Sequence, residues 1–270
     1  MIPNNFEEQI FFTTTRITIP EESGTGASIG TGFLMRVPLK DETNRTITLL
    51  ISNKHVFKNP KNKISFTFNK KDEKGEADLG KVHTFSSNSF HAIYSEHPDP
   101  TIDLACINAS MISNTDVYFR HLYPEMISDF TDENLAPGID VWFIGYPENR
   151  YDVINNLPLL RRGYISSIPK VDFNAKKQFV IDAQVFPGSS GSPVFTQLNN
   201  EFKLIGVVTE TMIKHGQLEA IPTLSSLGVQ QTLGLGIVIK ATLLNELINV
   251  TISKVREALK SKDEPTTGNK

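Results

Sequence analysis

The sequence predicts an all-β protein, a sandwich or barrel laid out in two units, with one α-helix at its C-terminal end. Three observations carry this. Short runs rich in β-branched and aromatic residues recur from Arg16 to Ile239, separated by glycine, proline, asparagine or charged turns. The pattern lapses between about Ala109 and Pro137, which suits a connection between two β units. From Leu244 onward the apolar spacing changes to threes and fours, the period of a helix.

Taken in order, the strand candidates are Arg16–Ile19, Thr31–Val37, Thr46–Ser52, Ile64–Phe68 and Leu104–Ile107, then Val141–Ile144, Gly163–Ile168, Phe179–Ala183, Leu204–Val208 and Leu235–Ile239. Asn69–Glu76 carries charges of both signs and reads as an exposed hairpin turn. Tyr146–Leu157 and Thr211–Thr232 show no regular pattern, and either segment is a candidate to shape or cover a cleft. Leu247, Ile248, Ile252, Val255 and Leu259 form one helical stripe opposite Asn245, Glu246, Asn249, Lys254 and Glu257, and such a stripe packs on its own domain. After Lys260 nothing remains to bury. The expected organisation is an N-terminal unit over 1–120, a second over 121–240, a helix over 241–262 and a disordered tail over 263–270.

Composition narrows the function. The chain has 270 residues, 39 % of them hydrophobic, enough for a core. Its 27 Lys and Arg against 30 Asp and Glu leave a net charge of -3, without the basic excess of a nucleic-acid or anionic-membrane binder. Cys106 is the single cysteine, so no internal disulfide can form and a reducing compartment is expected. The opening residues lack the basic start and apolar middle of a signal peptide, and no apolar run approaches the ~20 residues of a spanning helix. A cytoplasmic location follows as the expectation.

The most informative stretch is Pro187-Gly188-Ser189-Ser190-Gly191-Ser192-Pro193. A serine hydroxyl is a weak nucleophile, and acyl transfer needs donors aimed at the oxyanion it creates. Glycine at 188 lets the backbone turn so that the N–H groups of Gly188 and Ser190 point into one hollow. Gly-x-Ser-Gly-[Gly/Ser]-Pro arises by accident in a chain of this length on the order of once in a thousand. It resembles the active-site serine motif of the chymotrypsin-like serine proteases. That resemblance demands a histidine and then an aspartate upstream.

Both are present. His55 ends the apolar run Leu49-Leu50-Ile51-Ser52-Asn53-Lys54-His55, which resembles the family's strand-end general base. Before it, Gly30-Thr31-Gly32-Phe33-Leu34 resembles the strand that pairs with the histidine strand in the bacterial branch. Asp103, in Asp103-Leu104-Ala105, is similar to the segment carrying the orienting aspartate, with Asp99 as a nearby alternative. The other histidines, His83, His91, His97, His121 and His215, read as surface or satisfied core residues, and none has zinc-ligand spacing.

Asp182–Ser190 has the spacing of heat-shock serine proteases that carry PDZ domains, and Ser190–Phe195 is similar to the glutamyl endopeptidases. Across about residues 10 to 260 the resemblance implies two six-stranded antiparallel β-barrels, chymotrypsin-like, with a C-terminal α-helix. It implies a serine endopeptidase with His55, Asp103 and Ser190 as catalytic residues, Gly188 and Ser190 as oxyanion donors, and no cofactor or metal. Protein or peptide is the implied substrate, with narrow specificity or a regulatory partner protein. A protease-fold binding module that has lost catalysis is the alternative.

Departures from the family are also legible. Ser189 stands where members activated by cleavage place an aspartate to receive a new N-terminal ammonium. Val208 stands where the glutamyl endopeptidases have a histidine. Gln184, six positions before Ser190, is neutral where a tryptic enzyme has aspartate. With Val208 and Leu235 as further linings, a small or apolar side chain is expected at the cleavage site. Thr209 lies on the strand expected to pair with substrate backbone, and Glu210, near the lip, offers instead a partner for a basic side chain.

Overall fold

Short apolar strands fold the first half of the chain, with Ala27–Pro38 and Thr46–Ser52 buried on both faces. The computed structural model describes residues 1–21, 26–39, 44–219 and 226–263, with backbone alone for 213–219, 226–232 and 261–263. A short helix α1 (Phe6–Ile10) precedes β1 (Thr14–Pro20), β2 (Ala27–Pro38) and β3 (Thr46–Ser52). The one-turn helix α2 (Lys54–Phe57) leads to β4 (Ile64–Lys71), β5 (Ala77–Ser87), β6 (Tyr94–Glu96), β7 (Ala105–Asn108) and β8 (Val117–Tyr118). They pair antiparallel in the order β5-β4-β1-β2-β3-β7-β6, with β8 added against β4. Ile17, Leu34, Leu50, Phe57, Phe66 and Ile107 fill the enclosed core.

This unit is consistent with the expected barrel but is not closed by strand pairing. Among the described residues it has eight strands, and its edges β5 and β6 do not pair. Side chains close that side instead: Phe57, Phe90 and Tyr94 pack ring against ring with centroids 5.6, 5.7 and 5.9 Å apart. Aromatic packing of this kind excludes water without needing a ladder.

The second half forms a closed six-stranded barrel from β9 (Asp140–Gly145), β10 (Leu159–Ile165), β11 (Gln178–Asp182), β12 (Pro193–Leu198), β13 (Glu201–Glu219) and β14 (Ser226–Lys240). Its core includes Val141, Phe143, Phe179, Ile181, Val194 and Val238. Thr211–Thr232, expected to be irregular, is for the most part paired strand. β13 and β14 continue as a ribbon in which Lys214 faces Gln231 and Leu218 faces Leu227, and 220–225 lie outside the described residues. A two-stranded ribbon is held by its backbone ladder, so its sequence need not show alternation. β5 escaped notice for a similar reason, since most of its residues are exposed.

The C-terminal helix α3 (Leu243–Asp263) begins where its stripe begins. Residues 264–270 of the expected tail lie outside the described residues. Leu244, Leu247, Ile248 and Ile252 are buried in a cluster shared by Phe33 and Met35 of β2, Leu49 of β3, and Phe195, Leu204 and Ile239 of the barrel. The helix therefore seals the seam between the halves, and Arg256 donates to the Leu39 carbonyl at the end of β2. Among the described residues no helix is long and apolar enough to cross a membrane. Leu247→Ala removes a fully buried side chain from this seam. It is expected to lower stability by about 2–5 kcal/mol in a denaturant melt, whereas Glu257→Ala on the exposed face changes it by no more than about 0.5 kcal/mol.

Candidate active site

The histidine is placed by a change of direction after β3. The strand stops at Ser52, and Asn53 leads into the single turn of α2, whose Val56 and Phe57 are buried. His55 is thereby left facing outward, with 51 % of its side chain accessible. It sits on a short helix rather than at the end of the strand, because burying Val56 and Phe57 turns the chain inward. Across from it, Asn53 Nδ2 donates to the Asp103 carbonyl oxygen (2.9 Å), and the His55 backbone N–H donates to Asp103 Oδ1 (3.0 Å).

Asp103 and His55 meet directly, with Nδ1 2.6 Å from Oδ2. A carboxylate only accepts, so Nδ1 carries the proton and Nε2 is left as the basic position of the neutral ring. Thr209 Oγ1 donates to the same Oδ2 (2.9 Å). Burial pushes the Asp103 carboxyl up, but the hydrogen bonds and charge of His55, with the Thr209 hydroxyl, outweigh it and hold the group below its ordinary value of 3.8. The alternative, Asp99, spends its carboxylate on the Thr101 backbone N–H and hydroxyl.

Ser190 joins this group through Thr209. Its hydroxyl donates to the Thr209 carbonyl oxygen (3.1 Å), and among the described residues it makes no hydrogen bond to His55. Around it the backbone is committed in a particular pattern. The N–H groups of Ser189, Gly191 and Ser192 go to the carbonyls of Phe186, Val208 and Ser189. Those of Gly188 and Ser190 have no partner within the described chain, which leaves the donors on either side of Ser189 free. Gly188 has φ +87°, and a Cβ there would come 2.4 Å from the Tyr146 carbonyl oxygen. Gly191, also at φ +87°, passes so close to β2 that a Cβ would lie 1.9 Å from the Thr31 carbonyl oxygen.

Thr31 holds the loop to the first sheet. Its N–H donates to the Ser190 carbonyl (2.9 Å), its hydroxyl donates to the Gly188 carbonyl (2.9 Å), and that hydroxyl accepts from the Tyr146 N–H (3.2 Å). Ser52 Oγ donates to the Thr31 carbonyl (2.6 Å). The sequence pattern identified this segment, but gave no sign of the role of Thr31.

The proposed specificity residues are dispersed. Gln184 is exposed, Leu235 is half-buried opposite Asp182, and Glu210 is exposed beside Thr209. Val208 has its side chain fully buried in the barrel core. A cavity of about 350 Å³ is lined by Asp103, Thr209 and Glu210 together with Asp172 and Lys176. Cys106 is buried against Thr251, and burial pushes its thiol up to about 12, which leaves no reactive thiolate. Among the described residues no three His, Cys, Asp or Glu side chains gather as a metal site requires.

The signature of the trypsin-like peptidase domain matches residues 30–207, a span containing His55, Asp103 and Ser190. The chain belongs to the trypsin-like peptidase family. No curated protein matches the sequence. Among solved structures, a serine endoprotease from Yersinia pestis is 17 % identical, with 94 % of this chain and 68 % of that chain covered at a TM-score of 0.49. The active form of the Rv3671c protease from M. tuberculosis is 17 % identical, with 89 % and 81 % covered at 0.49. A catalytically inactive tobacco etch virus protease complexed with substrate is 10 % identical, with 88 % and 81 % covered at 0.48.

Thr209→Val removes one donor from Asp103 and is expected to cost about 1.5–3 kcal/mol at neutral pH. Because the folded carboxyl is held low, its stabilising contribution is complete above its ordinary value and is lost as pH falls through the folded value. Denaturant melts should therefore show the gap between wild type and variant narrowing below about pH 4. An equal gap at both pH values would refute the assignment.

Proposed function

We propose that this trypsin-like peptidase domain is a serine endopeptidase that hydrolyses peptide bonds through an acyl-enzyme. The observation that carries the reading is the short chain of contacts from Ser190 through Thr209 to Asp103 and His55, next to the two uncommitted N–H groups. A side-chain rotation takes the Ser190 hydroxyl from the Thr209 carbonyl to His55 Nε2. The imidazole then removes its proton as Oγ attacks the scissile carbonyl. Asp103 keeps the proton on Nδ1 and stabilises the imidazolium, and the N–H groups of Gly188 and Ser190 receive the oxyanion. His55 next gives its proton to the leaving amine, and water repeats the sequence to release the acyl group.

Neutral Gln184 and half-buried Leu235 support a small or apolar side chain at the cleavage site, and exposed Glu210 supports a basic residue as the competing preference. A reducing, cytoplasmic setting is part of the reading and rests on the single buried Cys106. There an unrestrained protease is hazardous, so we attach narrow substrate choice or a regulatory partner protein to the proposal. Free digestion of unstructured polypeptides by the purified chain would remove that clause.

A second reading, a binding module without catalysis, is favoured by one observation, the Ser190 hydroxyl donating to Thr209 and not to His55. Labelling by an organofluorophosphonate separates the two. Ser190 is expected to react in the native chain and to lose all labelling in Ser190→Ala. His55→Ala and Asp103→Asn should slow peptide cleavage by about 10⁴-fold. A native chain that stays unlabelled would leave the binding module as the better reading.

A further inference from the structure

Two consecutive arginines on a strand point to opposite faces, so in Arg161-Arg162 of β10 one must turn inward. Arg162 is the outer one and pairs with Asp140 (2.5 Å). Arg161 is the inner one. Its guanidinium carbon lies 4.4 Å from the centre of the Phe143 ring, across the β9–β10 ladder. Nη1 donates to the Gln184 carbonyl oxygen (2.7 Å) and Nη2 to Ser189 Oγ (2.7 Å). Among the described residues it has no carboxylate partner, and its Nε is buried without a hydrogen bond. Burial pushes this group down to about 10, so it stays charged at neutral pH while the fold bears the cost of desolvating it.

Packing alone does not account for a cation here, since an apolar side chain would fill the same space against Phe143 without that cost. What distinguishes the site is where its donors go. Both end on the segment immediately before the nucleophile, one at each end of Gln184–Ser189. Ser189 is fully buried, and its Oγ also accepts the Phe186 N–H (3.3 Å). With the Ser189 side chain drawn inward, the N–H groups of the residues on either side, Gly188 and Ser190, are the ones left free.

We infer that Arg161 is a positioning residue for the reaction: its guanidinium clamps Gln184 and Ser189 so that the N–H donors of Gly188 and Ser190 are preorganised for the oxyanion. This rests on the endopeptidase reading above. The clamp belongs to the chain itself, so the loop is held without a newly generated N-terminus. Its bidentate geometry suits guanidinium better than ammonium.

The test compares Arg161→Ala, Arg161→Lys and Ser189→Ala in the full chain, on a peptide substrate that the wild type cleaves. Arg161→Ala is expected to lower kcat by about 10²–10³-fold, the range for a lost oxyanion donor, with KM changed by less than about threefold. Guanidinium chloride at a sub-denaturing concentration should restore kcat about tenfold in Arg161→Ala and leave the wild type unchanged. Arg161→Lys should recover part of the loss. Ser189→Ala should lower kcat by about tenfold, and its effect should be non-additive with Arg161→Ala. If Arg161→Ala does not fold, Arg161→Lys and Ser189→Ala decide the matter on their kcat against KM. Unchanged kcat in the folded variants, a loss confined to KM, or additive losses without guanidinium rescue would overturn the inference. A wild type that neither labels nor cleaves would instead overturn the endopeptidase reading on which it rests.

Discussion

The contact on which the rest of the site depends is the docking of the Gly188–Ser192 loop onto Thr31. One buried threonine engages two carbonyls of that loop and the first N–H after β9. Gly191 then lies against the Thr31 carbonyl, at a separation that only a residue without Cβ allows. The two halves are thus joined by hydrogen bonds at the site and by the apolar seam beneath α3. A loop clamped to the opposite unit as well as to its own barrel is held in one geometry, which the proposed reaction requires.

Asp103 shows the same dependence in electrostatic form. Its carboxylate receives the backbone N–H and ring N–H of His55 from the first unit and the Thr209 hydroxyl from the second. Charge-assisted hydrogen bonds are stronger than neutral ones, and three on one group hold it ionised despite partial burial. Thr209 also accepts from Ser190, so one residue of β13 touches both ends of the constellation. Arg161 adds a departure from local economy, a desolvated cation without a counter-ion among the described residues, and such departures concentrate where function requires them.

Much of the architecture was legible because burial leaves a period in sequence. β3 and α3 could be bounded closely, since β3 is an unbroken buried run ended by a turn and the buried residues of α3 recur at threes and fours. Where burial is absent the signal fails, as in β5, which is held by its ladder and carries mostly exposed residues. Val208 lies on the same strand as Thr209 and Glu210, but only the register shows that its side chain turns into the core. Arg161 was open to detection from the paired arginines, but only after the register of β10 was known.

By itself the sequence determined the β class, the terminal helix, the rare serine motif, and the order of histidine, aspartate and serine along the chain. These are properties of residue type and short-range spacing. Tertiary structure decided which aspartate meets His55, where the Ser190 hydroxyl points, which N–H groups stay free among the described residues, and that Thr31 and Arg161 both hydrogen-bond to the loop. Those outcomes are set by distances between segments dozens of residues apart, which hydrogen bonding and close packing specify only once both halves have closed around their cores.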